Sequence, residues 1–195
     1  MLTSRRRHED HRRFHDRPGD AQADASRRDF TVNGLFYDPV QKQLHDWVGG
    51  EADLRARLIR TIGAPGERFG EDRLRLLRLF RFQAVLGEGP VDAEALGAAV
   101  RARRGLRDLS AERIGQEMLK LVVGRRAAEV VATMQEHGIL PILLAGVAEL
   151  PAFARMAASE ADSGCAPAAE LRLVTLACRI AEDVQRIAER LRMSG

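Results

Sequence analysis

Hydrophobic and polar positions divide the chain into three stretches of different character. The first, Met1–Ala25, is charged, rich in His and Arg, and offers almost nothing that could pack into a core, so we expect it to be irregular. Next, Phe30–Tyr37 is rich in β-branched and aromatic residues and ends at an Asp-Pro pair, which predicts a strand followed by a turn. The stretch Gln43–Val48 could be its hairpin partner. After the Gly-Gly pair that follows, the pattern becomes helical.

Apolar residues at helical spacing continue almost to the end of the chain and predict six or seven helices. Gly and Pro residues lie where the connections should fall, and Pro151 is placed to open the helix that follows it. We therefore expect a mainly α fold with one small β hairpin. The predicted helices are Asp53–Ile62, Glu71–Leu86, Asp92–Arg104, Ser110–Val123, Arg125–His137 and two more towards the C-terminus, with connections at 63–66, 87–90, 138–141 and 163–164.

Composition adds little to this picture of a folded helical protein. With 195 residues, 45% of them hydrophobic, the chain can bury a core as one domain or as two small ones. Of its 31 basic residues only Lys42 and Lys120 are lysines, and the net charge is +3. This charge permits an acidic partner, but an arginine excess also follows from a GC-rich genome. Charge alone therefore does not separate a nucleic-acid-binding protein from others.

Cysteine usage and hydropathy bear on the compartment. Cys165 and Cys178 lie far apart and have no partner at zinc-type spacing, which argues against a disulfide framework and against a metal site. The stretch Met1–Arg13 has arginines but lacks the apolar region of a signal peptide, and no run is long enough to span a bilayer. We expect a cytoplasmic protein without membrane contact.

The first group of residues that could carry chemistry lies just before the predicted strand. Adjacent Arg28 and Asp29 offer a fork of donors and an acceptor at one place, which suits a phosphate and a ribose hydroxyl together. Asn33 precedes a glycine and is ordinary turn chemistry when taken alone. The alternative is an exposed, salt-bridged turn, which an isolated Arg-Arg-Asp run favours.

The second group is a Glu-Asp-x-x-Arg-x-x-Arg run. On a helix, Glu71, Arg75 and Arg78 fall along one stripe with Asp72 beside it, while Phe80 and two leucines face the opposite way. A carboxylate held beside a guanidinium presents acceptors and donors in a fixed pattern that can read the pairing edge of a base. Spacing alone favours the alternative, an ordinary ion-pair ladder on an amphipathic helix.

The third group consists of Glu112, Arg113 and Glu117. Arg113 and Glu117 lie one turn apart on a predicted helix, and Ser110 is placed to cap it. A structural ion pair is the favoured interpretation of this spacing. Any function of this group would be indirect, by fixing the position of a neighbouring helix.

The order and spacing of these groups, and the sequence between them, resemble the class II tRNA nucleotidyltransferase (CCA-adding enzyme) and bacterial poly(A) polymerase family. The match is dense from Asp24 to Val123 and looser in the helices beyond. The runs that carry it are RRDFTVNGLFYDP, HDWVGGEADLRARLIRTIGAPGERFGEDRLRLLRLFRFQAVLG, and AERIGQEMLKLV, which is similar to the ERxxxE motif of that family.

The resemblance implies a nucleotide-binding role for the first two groups. Arg28 and Asp29 would contact the ribose and phosphates of an incoming nucleotide, supported by Asn33. Asp72 and Arg75 would pair with the base edge of CTP or ATP. These roles agree with what the donors and acceptors of the side chains allow.

The remaining candidates are implied to hold the triphosphate or to give structural support. Arg78 would help to hold the triphosphate. Glu71, Glu112, Arg113 and Glu117 would support the helix that reads the base.

The resemblance also implies an organisation and a set of substrates. Residues 1–50 would be the residual C-terminal part of a nucleotidyltransferase head, residues 51–123 a helical neck that reads the nucleotide and binds RNA, and residues 124–195 a partial helical body. The substrates would be CTP, ATP and the 3′ end of tRNA or another RNA.

Departures from the family pattern concern the metal site above all. Members of the family begin with a Gly-Ser or Gly-Gly turn, then Arg-Asp and an Asp-x-Asp pair that binds two magnesium ions, and none of these lies in this chain. Asp16, Asp20 and Asp24 are four residues apart and are not interpreted as metal ligands, and Leu2–Arg6 could be the end of a strand that follows the missing region. We therefore predict no catalytic residue and no metal ligand here.

The chain alone is expected to be inactive, because nucleotidyl transfer depends on metal ions, and Mg²⁺ is expected for the complete enzyme. The missing head would lie upstream, on a partner chain, or nowhere. At the other end, Gly195 comes early, so part of the helical body that grips the tRNA elbow would be missing. Arg73 stands where the family commonly has proline and Gly34 replaces a usual alanine, changes that should leave the reading face intact.

Two other hypotheses stay open. The chain could be a non-catalytic nucleotide or RNA-binding module kept after loss of the head domain. It could also be an arginine-rich helical scaffold that binds nothing of this kind.

Overall fold

The computed structural model describes residues 18–192, which form a mainly α fold with one two-stranded sheet, as the sequence predicts. In chain order the elements are α1 (Pro18–Arg27), a 3₁₀ turn (Thr31–Asn33), β1 (Phe36–Asp38), β2 (Gln43–His45), α2 (Gly50–Arg55), α3 (Pro65–Glu71), α4 (Leu74–Val85), α5 (Ala93–Ala102), a 3₁₀ helix (Arg103–Asp108), α6 (Ala111–Val122), α7 (Ala127–Glu136), α8 (Leu140–Leu144), α9 (Leu150–Ser163), α10 (Ala169–Ala177) and α11 (Ala181–Leu191).

Helix α1 corrects the expectation of an irregular start to the chain. The expected irregular stretch ended at residue 25, and its residues 1–17 lie outside the described residues, but from Pro18 onwards the chain is helical. Ala25 is fully buried, so a small apolar side chain of this helix packs against the rest of the molecule. Charge content does not exclude a helix whose other faces are solvated.

The β hairpin is shorter than predicted. Gln43–His45 confirms the second strand over its first three residues, and it pairs antiparallel with β1. The strand predicted over Phe30–Tyr37 is wrong at Thr31–Asn33, which form a 3₁₀ turn. The Thr31 N–H donates to the carbonyl of Arg60 at 3.0 Å, a contact distant in sequence that overrides the local β preference.

The helix predicted over Asp53–Ile62 is replaced by α2, which ends at Arg55. Arg57 then adopts a left-handed backbone conformation (φ 53°), and the chain leaves the helix so that Thr61 forms a bridge with Phe30. In the second half of the predicted helix, the tertiary contact with Phe30 therefore overrides the helical periodicity of the sequence.

The helix predicted over 71–86 is broken at Asp72. Helix α3 ends at Glu71, Asp72 is extended (φ −146°, ψ 112°), and its Oδ1 accepts a hydrogen bond from the Leu74 N–H at 2.9 Å. This carboxylate therefore caps the start of α4. Pro65, which lies in a predicted connection, opens α3, where its missing N–H would have had no partner in any case.

The later helices follow the prediction more closely. Helices α5, α6 and α7 lie within three of the predicted helices, and Ser110 caps α6 by accepting a hydrogen bond from the Arg113 N–H at 3.4 Å. Pro151 lies in the first turn of α9, as expected. Among the described residues, four helices rather than two follow residue 137, and the first of them begins inside the connection predicted at 138–141.

One hydrophobic core joins the helices. Helix α4 buries Leu76 and Phe80 against α6, which contributes Ile114 and Met118. The core continues through α7 to α11, and the division at residues 50 and 123 stays a prediction. In the described part of the chain, no helix is both long and apolar enough to cross a membrane.

Candidate functional site

The candidate site forms where the end of α1 and the 3₁₀ turn meet α3 and α4, with Asp29 buried between them. Asp29 Oδ1 accepts hydrogen bonds from Asn33 Nδ2 at 3.0 Å and from the Phe30 N–H at 3.1 Å, and Asp29 Oδ2 accepts one from Arg78 Nε. Burial raises the pKa of Asp29, but the bonds from Arg78 and Asn33 and the charge of Arg78 outweigh it and hold the pKa below its usual range. Asp29 is therefore ionised and binds donors from two segments.

Arg28 is oriented from three sides. Its guanidinium pairs with Asp24 one helical turn earlier at 2.9 Å, donates to the carbonyl of Asn33 at 3.3 Å, and lies over the Phe36 ring, 4.9 Å from the centroid. The side chain is 39% exposed, so it retains N–H groups for a ligand.

Two arginines clamp the C-terminal end of α1 to α3 and α4. Arg68 Nη2 donates to the carbonyl of Ser26 at 3.0 Å, and Arg75 Nη2 donates to the carbonyl of Arg27 at 3.1 Å. These carbonyls have no partner within the helix, so charged donors satisfy them well. Glu71 pairs with both arginines, and the bond from Arg75 holds the pKa of Glu71 below its usual range. The network fixes the adjacent Arg-Asp pair relative to α4.

Asp72 reaches α6 across the corner between α3 and α4. Its Oδ2 lies 2.8 Å from Arg113 Nη2, while Oδ1 caps α4. Asp72 is 38% exposed and Arg113 48%, so the pair is solvated and a ligand with similar donors could replace Arg113 at small cost. Arg113 thus occupies Oδ2 of Asp72 in the structure.

Arg81 and Phe82 belong to the site but were missed in the sequence. Arg81 Nε lies 2.7 Å from the buried carboxylate of Glu117, and its guanidinium stacks on Phe82 at 4.2 Å from the centroid, while Arg78 lies 5.4 Å from the same ring. Burial lowers the pKa of Arg81 and the charge of Glu117 opposes the change. The spacing of three residues between Arg78 and Arg81 is the signal that could have found it.

The residues predicted to give support fall into two groups. In the first group, Arg113 pairs with Asp72 and Glu117 pairs with Arg81 of α4. Glu71 also belongs to this group, because it pairs with Arg75 of α4. Glu112 differs, because it pairs with Arg192 at the end of α11 at 2.9 Å. Any support from Glu112 would therefore act through the packing of α6 on α11.

The arrangement suits an anionic ligand that also forms hydrogen bonds, and its carboxylates face arginines. Between residues 18 and 192 no group of three or more His, Cys, Asp or Glu side chains could hold a metal ion. Asp24 pairs with Arg28, while Asp16 lies outside the described residues. The roles predicted for the nucleotide-binding residues stay predictions, although the structure brings Arg28, Asp29, Asn33 and Arg78 together in one network.

Two family models match the chain. Residues 2–60 match the poly A polymerase head domain, and residues 91–150 match the domain described as a probable RNA and SrmB-binding site of polymerase A. The candidate site draws Arg28, Asp29 and Asn33 from the first match and Arg113 from the second. Asp72, Arg75 and Arg78 lie between the two.

Curated relatives agree with these models. The chain is 37% identical over 125 residues to the CCA-adding enzyme of Staphylococcus epidermidis, a match that covers 63% of this chain and 31% of the relative. It is 33% identical over 178 residues to the mitochondrial CCA tRNA nucleotidyltransferase 1 of Mus musculus, a match that covers 90% of this chain and 40% of that relative. Poly(A) polymerase I of Escherichia coli O157:H7 is 37% identical, and the match covers 61% of this chain and 25% of that relative. The chain thus spans well under half of the length of these relatives.

Solved structures extend the likeness to the fold. The Bacillus stearothermophilus CCA-adding enzyme, solved in complex with CTP, superposes with a TM-score of 0.58 at 30% identity, covering 71% of this chain and 40% of that chain. The Thermotoga maritima CCA-adding enzyme, solved with tRNA, gives a TM-score of 0.67 at 18% identity, covering 89% and 45%, and at that identity it supports the fold alone.

Proposed function

Because this chain belongs to the family of CCA-adding enzymes and poly(A) polymerases, we propose that it serves template-independent nucleotidyl transfer to RNA 3′ ends. In this proposal the described residues select the nucleotide and hold the RNA. The observation that carries it is the network around Asp29, which joins Arg28 and Asn33 to Arg78 of α4 across 49 residues of sequence. The substrates are CTP and ATP, and the acceptor is the 3′ end of tRNA or another RNA.

In this proposal, Asp72 and Arg75, at the corner between α3 and α4, select the base. Asp72 offers carboxylate acceptors and Arg75 offers donors. The Leu74 N–H orients Asp72 through its other oxygen, and Glu71 together with the carbonyl of Arg27 orients Arg75. A fixed pattern of acceptor and donor favours a base whose edge carries the complementary donor and acceptor. With any other base, polar groups of the protein or of the base stay unpaired, which lowers the affinity. An incoming base would replace Arg113 as the partner of Asp72 Oδ2.

In this proposal, Arg28 and Arg78 bind the sugar and the phosphates of the nucleotide. Arg28 keeps unpaired N–H groups at the surface, and Arg78 uses its Nε for Asp29, which leaves its terminal nitrogens for a phosphate. The side chain of Arg78 is 28% exposed, which is enough for a ligand to reach it. Asp29 fixes the direction of Arg78 and could accept a ribose hydroxyl on a remaining lone pair.

Magnesium belongs to the transfer step of the complete enzyme, where it neutralises the triphosphate and activates the attacking hydroxyl. The residues described do not fit this role, since neither Asp29 nor Asp72 stands in a group that could hold a metal. We therefore assign to them only binding and orientation. We also propose a cytoplasmic location, on the sequence features described above.

Calorimetric titration tests this function directly. Purified 195-residue chain is titrated with CTP, ATP, GTP and UTP, and we expect CTP and ATP to bind more tightly than the other two. In parallel, a primer-extension assay with labelled tRNA and Mg²⁺ should show no added CMP or AMP by this chain alone. Equal affinity for all four nucleotides, or robust incorporation, would show that the site is misplaced.

The alternative of a non-catalytic nucleotide or RNA-binding module rests on the missing metal ligands within the described range. Mixing the chain with a separately purified head domain of a family member discriminates between the two. Incorporation that appears only in the mixture supports the transferase function. Tight binding without incorporation in the mixture supports the module.

A further inference from the structure

We propose that the cavity between residues 58–65 and residues 88–94 binds an aliphatic polyamine. The cavity has a volume of about 650 Å³, which lies in the range of small-molecule sites. Gln83 of α4 lines it, whereas none of the residues that form the candidate nucleotide site does. The inference is therefore independent of the proposed function.

The side chain of Gln83 is the observation that points to a ligand, because it is only 3% exposed and one of its polar atoms is unpaired. Its Nε2 donates to the carbonyl of Gly89 at 3.0 Å and, more weakly, to that of Glu88 at 3.5 Å. These two carbonyls accept but cannot donate, so they fix which end of the amide faces them. Within the part of the chain described, Oε1 has no hydrogen-bond partner.

The amide of Gln83 also has little room to turn. It packs against Gly87, so closely that a methyl group added to Gly87 would lie 2.6 Å from Gln83 Cδ. A buried acceptor without a partner costs free energy, and an N–H group of a ligand in the cavity would satisfy it.

The unpaired charge at the cavity is negative. Asp92 and Glu94, called here the rim carboxylates, line the cavity at the start of α5 and form no ion pair with any described residue. The other charged residues that line it, Arg60 and Glu88, each pair with a residue of opposite charge outside the cavity. The whole chain carries a net charge of +3, so this negative charge is local. A cation is favoured over a phosphate or another anion.

Much of the remaining lining is apolar and suits a chain of methylene groups. The apolar residues are Leu58, Ile59, Pro65, Pro90, Val91 and Ala93. A polyamine combines such a chain with an ammonium group at each end, so that one end donates to Gln83 Oε1 and the other lies at the rim carboxylates. A lysine side chain of a protein partner has one ammonium group and satisfies only one of these contacts.

Calorimetric titration of the full chain with spermidine tests the inference. Nucleotide and RNA are left out, because these polyanions attract polyamines themselves. We expect saturable binding with a dissociation constant of about 0.1 mM, well within the free energy per atom that small ligands reach. N-acetyl-lysinamide, which carries one ammonium group, should bind at least about tenfold more weakly.

Two variants change the two ends of the proposed site. Gln83→Lys keeps a donor for the loop carbonyls but replaces the acceptor by a cation, and it should weaken spermidine binding at least about tenfold. Asp92→Asn/Glu94→Gln removes both rim charges. It keeps the cap on the Ala95 N–H, because Asn caps a helix as well as Asp does, and it should weaken binding by about 5- to 20-fold.

The matched control is Asp162→Asn/Glu170→Gln, which removes the same charge from α9 and α10. Both residues are exposed, lie outside the cavity, and have side chains without an ion pair or hydrogen bond to any described residue. The control should bind spermidine within about twofold of the wild type. Thermal unfolding of each variant accompanies the titrations, and the CTP affinity of the rim variant should match that of the wild type.

Weaker spermidine binding by the rim variant with an unchanged control supports the inference, and this comparison decides alone if Gln83→Lys does not fold. Equal affinities of the rim and control variants overturn it, as does the absence of saturable binding up to roughly 10 mM spermidine. Displacement of spermidine by an equal concentration of Mg²⁺ overturns the assignment to an amine. Equal affinity for N-acetyl-lysinamide overturns the assignment to a free polyamine and favours a lysine of a protein partner.

Discussion

A buried carboxylate is costly unless its oxygens are paired, and Asp29 shows how the site meets this requirement. Both of its oxygens accept hydrogen bonds, from Asn33 and the Phe30 N–H on one side and from Arg78 on the other. Because Arg78 also stacks on Phe82, its guanidinium is held in one direction. A residue proposed to hold phosphate is thus oriented before any ligand arrives.

Base reading and phosphate binding should separate in single variants. Asp72→Ala and Arg75→Ala remove the contacts that we propose to the base edge, so each should change affinity for CTP, ATP and GTP unequally, by roughly 1–3 kcal/mol. Arg78→Ala should weaken all three nucleotides alike and preserve their order. Calorimetric titration with each nucleotide measures both effects.

Two controls accompany this series. Arg55→Ala changes an exposed arginine on α2 that pairs only with Glu51, and its nucleotide affinities should match those of the wild type. Arg78→Ala leaves Asp29 buried without its charged partner, so urea unfolding has to show that the variant is folded. Unchanged affinity and order in Asp72→Ala and Arg75→Ala would reduce the Glu-Asp-x-x-Arg-x-x-Arg run to an ion-pair ladder.

At the scale of elements, the break between α3 and α4 at Asp72 could not be predicted from the local sequence. Helical periodicity runs from residue 71 to 86 without interruption, yet Asp72 turns its carboxylate onto the Leu74 N–H and starts a new helix. Asp is a common cap and a tolerated interior residue, and the structure adds a second contact, from Arg113 to the other oxygen of Asp72. That partner lies 41 residues away and does not enter any local pattern.

Ser110 is the opposite case. It precedes a strongly amphipathic segment, caps the helix there, and the predicted helix is observed over Ala111–Val122. Local chemistry decides the start of this helix, so the sequence predicted it. The 3₁₀ turn at Thr31–Asn33 was missed, because its shape depends on hydrogen bonding to Arg60.

Contact between α2 and the 3₁₀ turn makes Gly50 sensitive to substitution. A methyl group added there would lie 2.1 Å from the carbonyl oxygen of Thr31, which belongs to backbone and has little room to shift. We expect Gly50→Ala to lower the free energy of unfolding by about 1–3 kcal/mol. Gly66→Ala, in α3 with open space around it, should instead be neutral or stabilising by up to about 1 kcal/mol. Urea unfolding followed by circular dichroism compares the two, and equal changes would contradict the close approach.

The start of α11 should respond to acid through Asp183. Backbone N–H groups of Arg179 and Ile180 and the guanidinium of Arg186 donate to its carboxylate and hold the pKa of Asp183 at about 2. Because this folded-state pKa lies below the unfolded value near 4, the stabilisation is complete above pH 4 and is lost as the pH falls towards 2. Asp183→Asn should therefore be less stable than the wild type at pH 7, with the difference shrinking between pH 4 and pH 2.

Thermal unfolding at intervals between pH 2 and pH 7 measures this difference. Asp162→Asn is the matched control, because Asp162 is exposed on α9 and its side chain makes no hydrogen bond or ion pair in the part of the chain described. The control should parallel the wild type at every pH. A constant gap between Asp183→Asn and the wild type down to pH 2 would contradict the assignment.

For the whole molecule, the sequence suggested candidate site residues but did not reveal which residues hold them in place. Resemblance pointed to Asp29, Asp72 and Arg78, but their partners come from elements far away in sequence. The same holds for the packing of the C-terminal helices. Arg172 of α10 donates to the carbonyl of Val122 at 2.8 Å and pairs with Glu160, a buried junction of three helices with no local signature.

The clamp on α1 has a consequence for biosynthesis. The contacts of Arg68 with Ser26, Arg75 with Arg27 and Arg78 with Asp29 span 42, 48 and 49 residues. Closing loops of this length is slow compared with forming the helices themselves. On a ribosome that adds roughly 5–20 residues each second, the Arg-Asp pair emerges roughly 3–10 s before α4 can reach it. During that interval the Arg-Asp pair is exposed on the nascent chain without the partners that α3 and α4 supply.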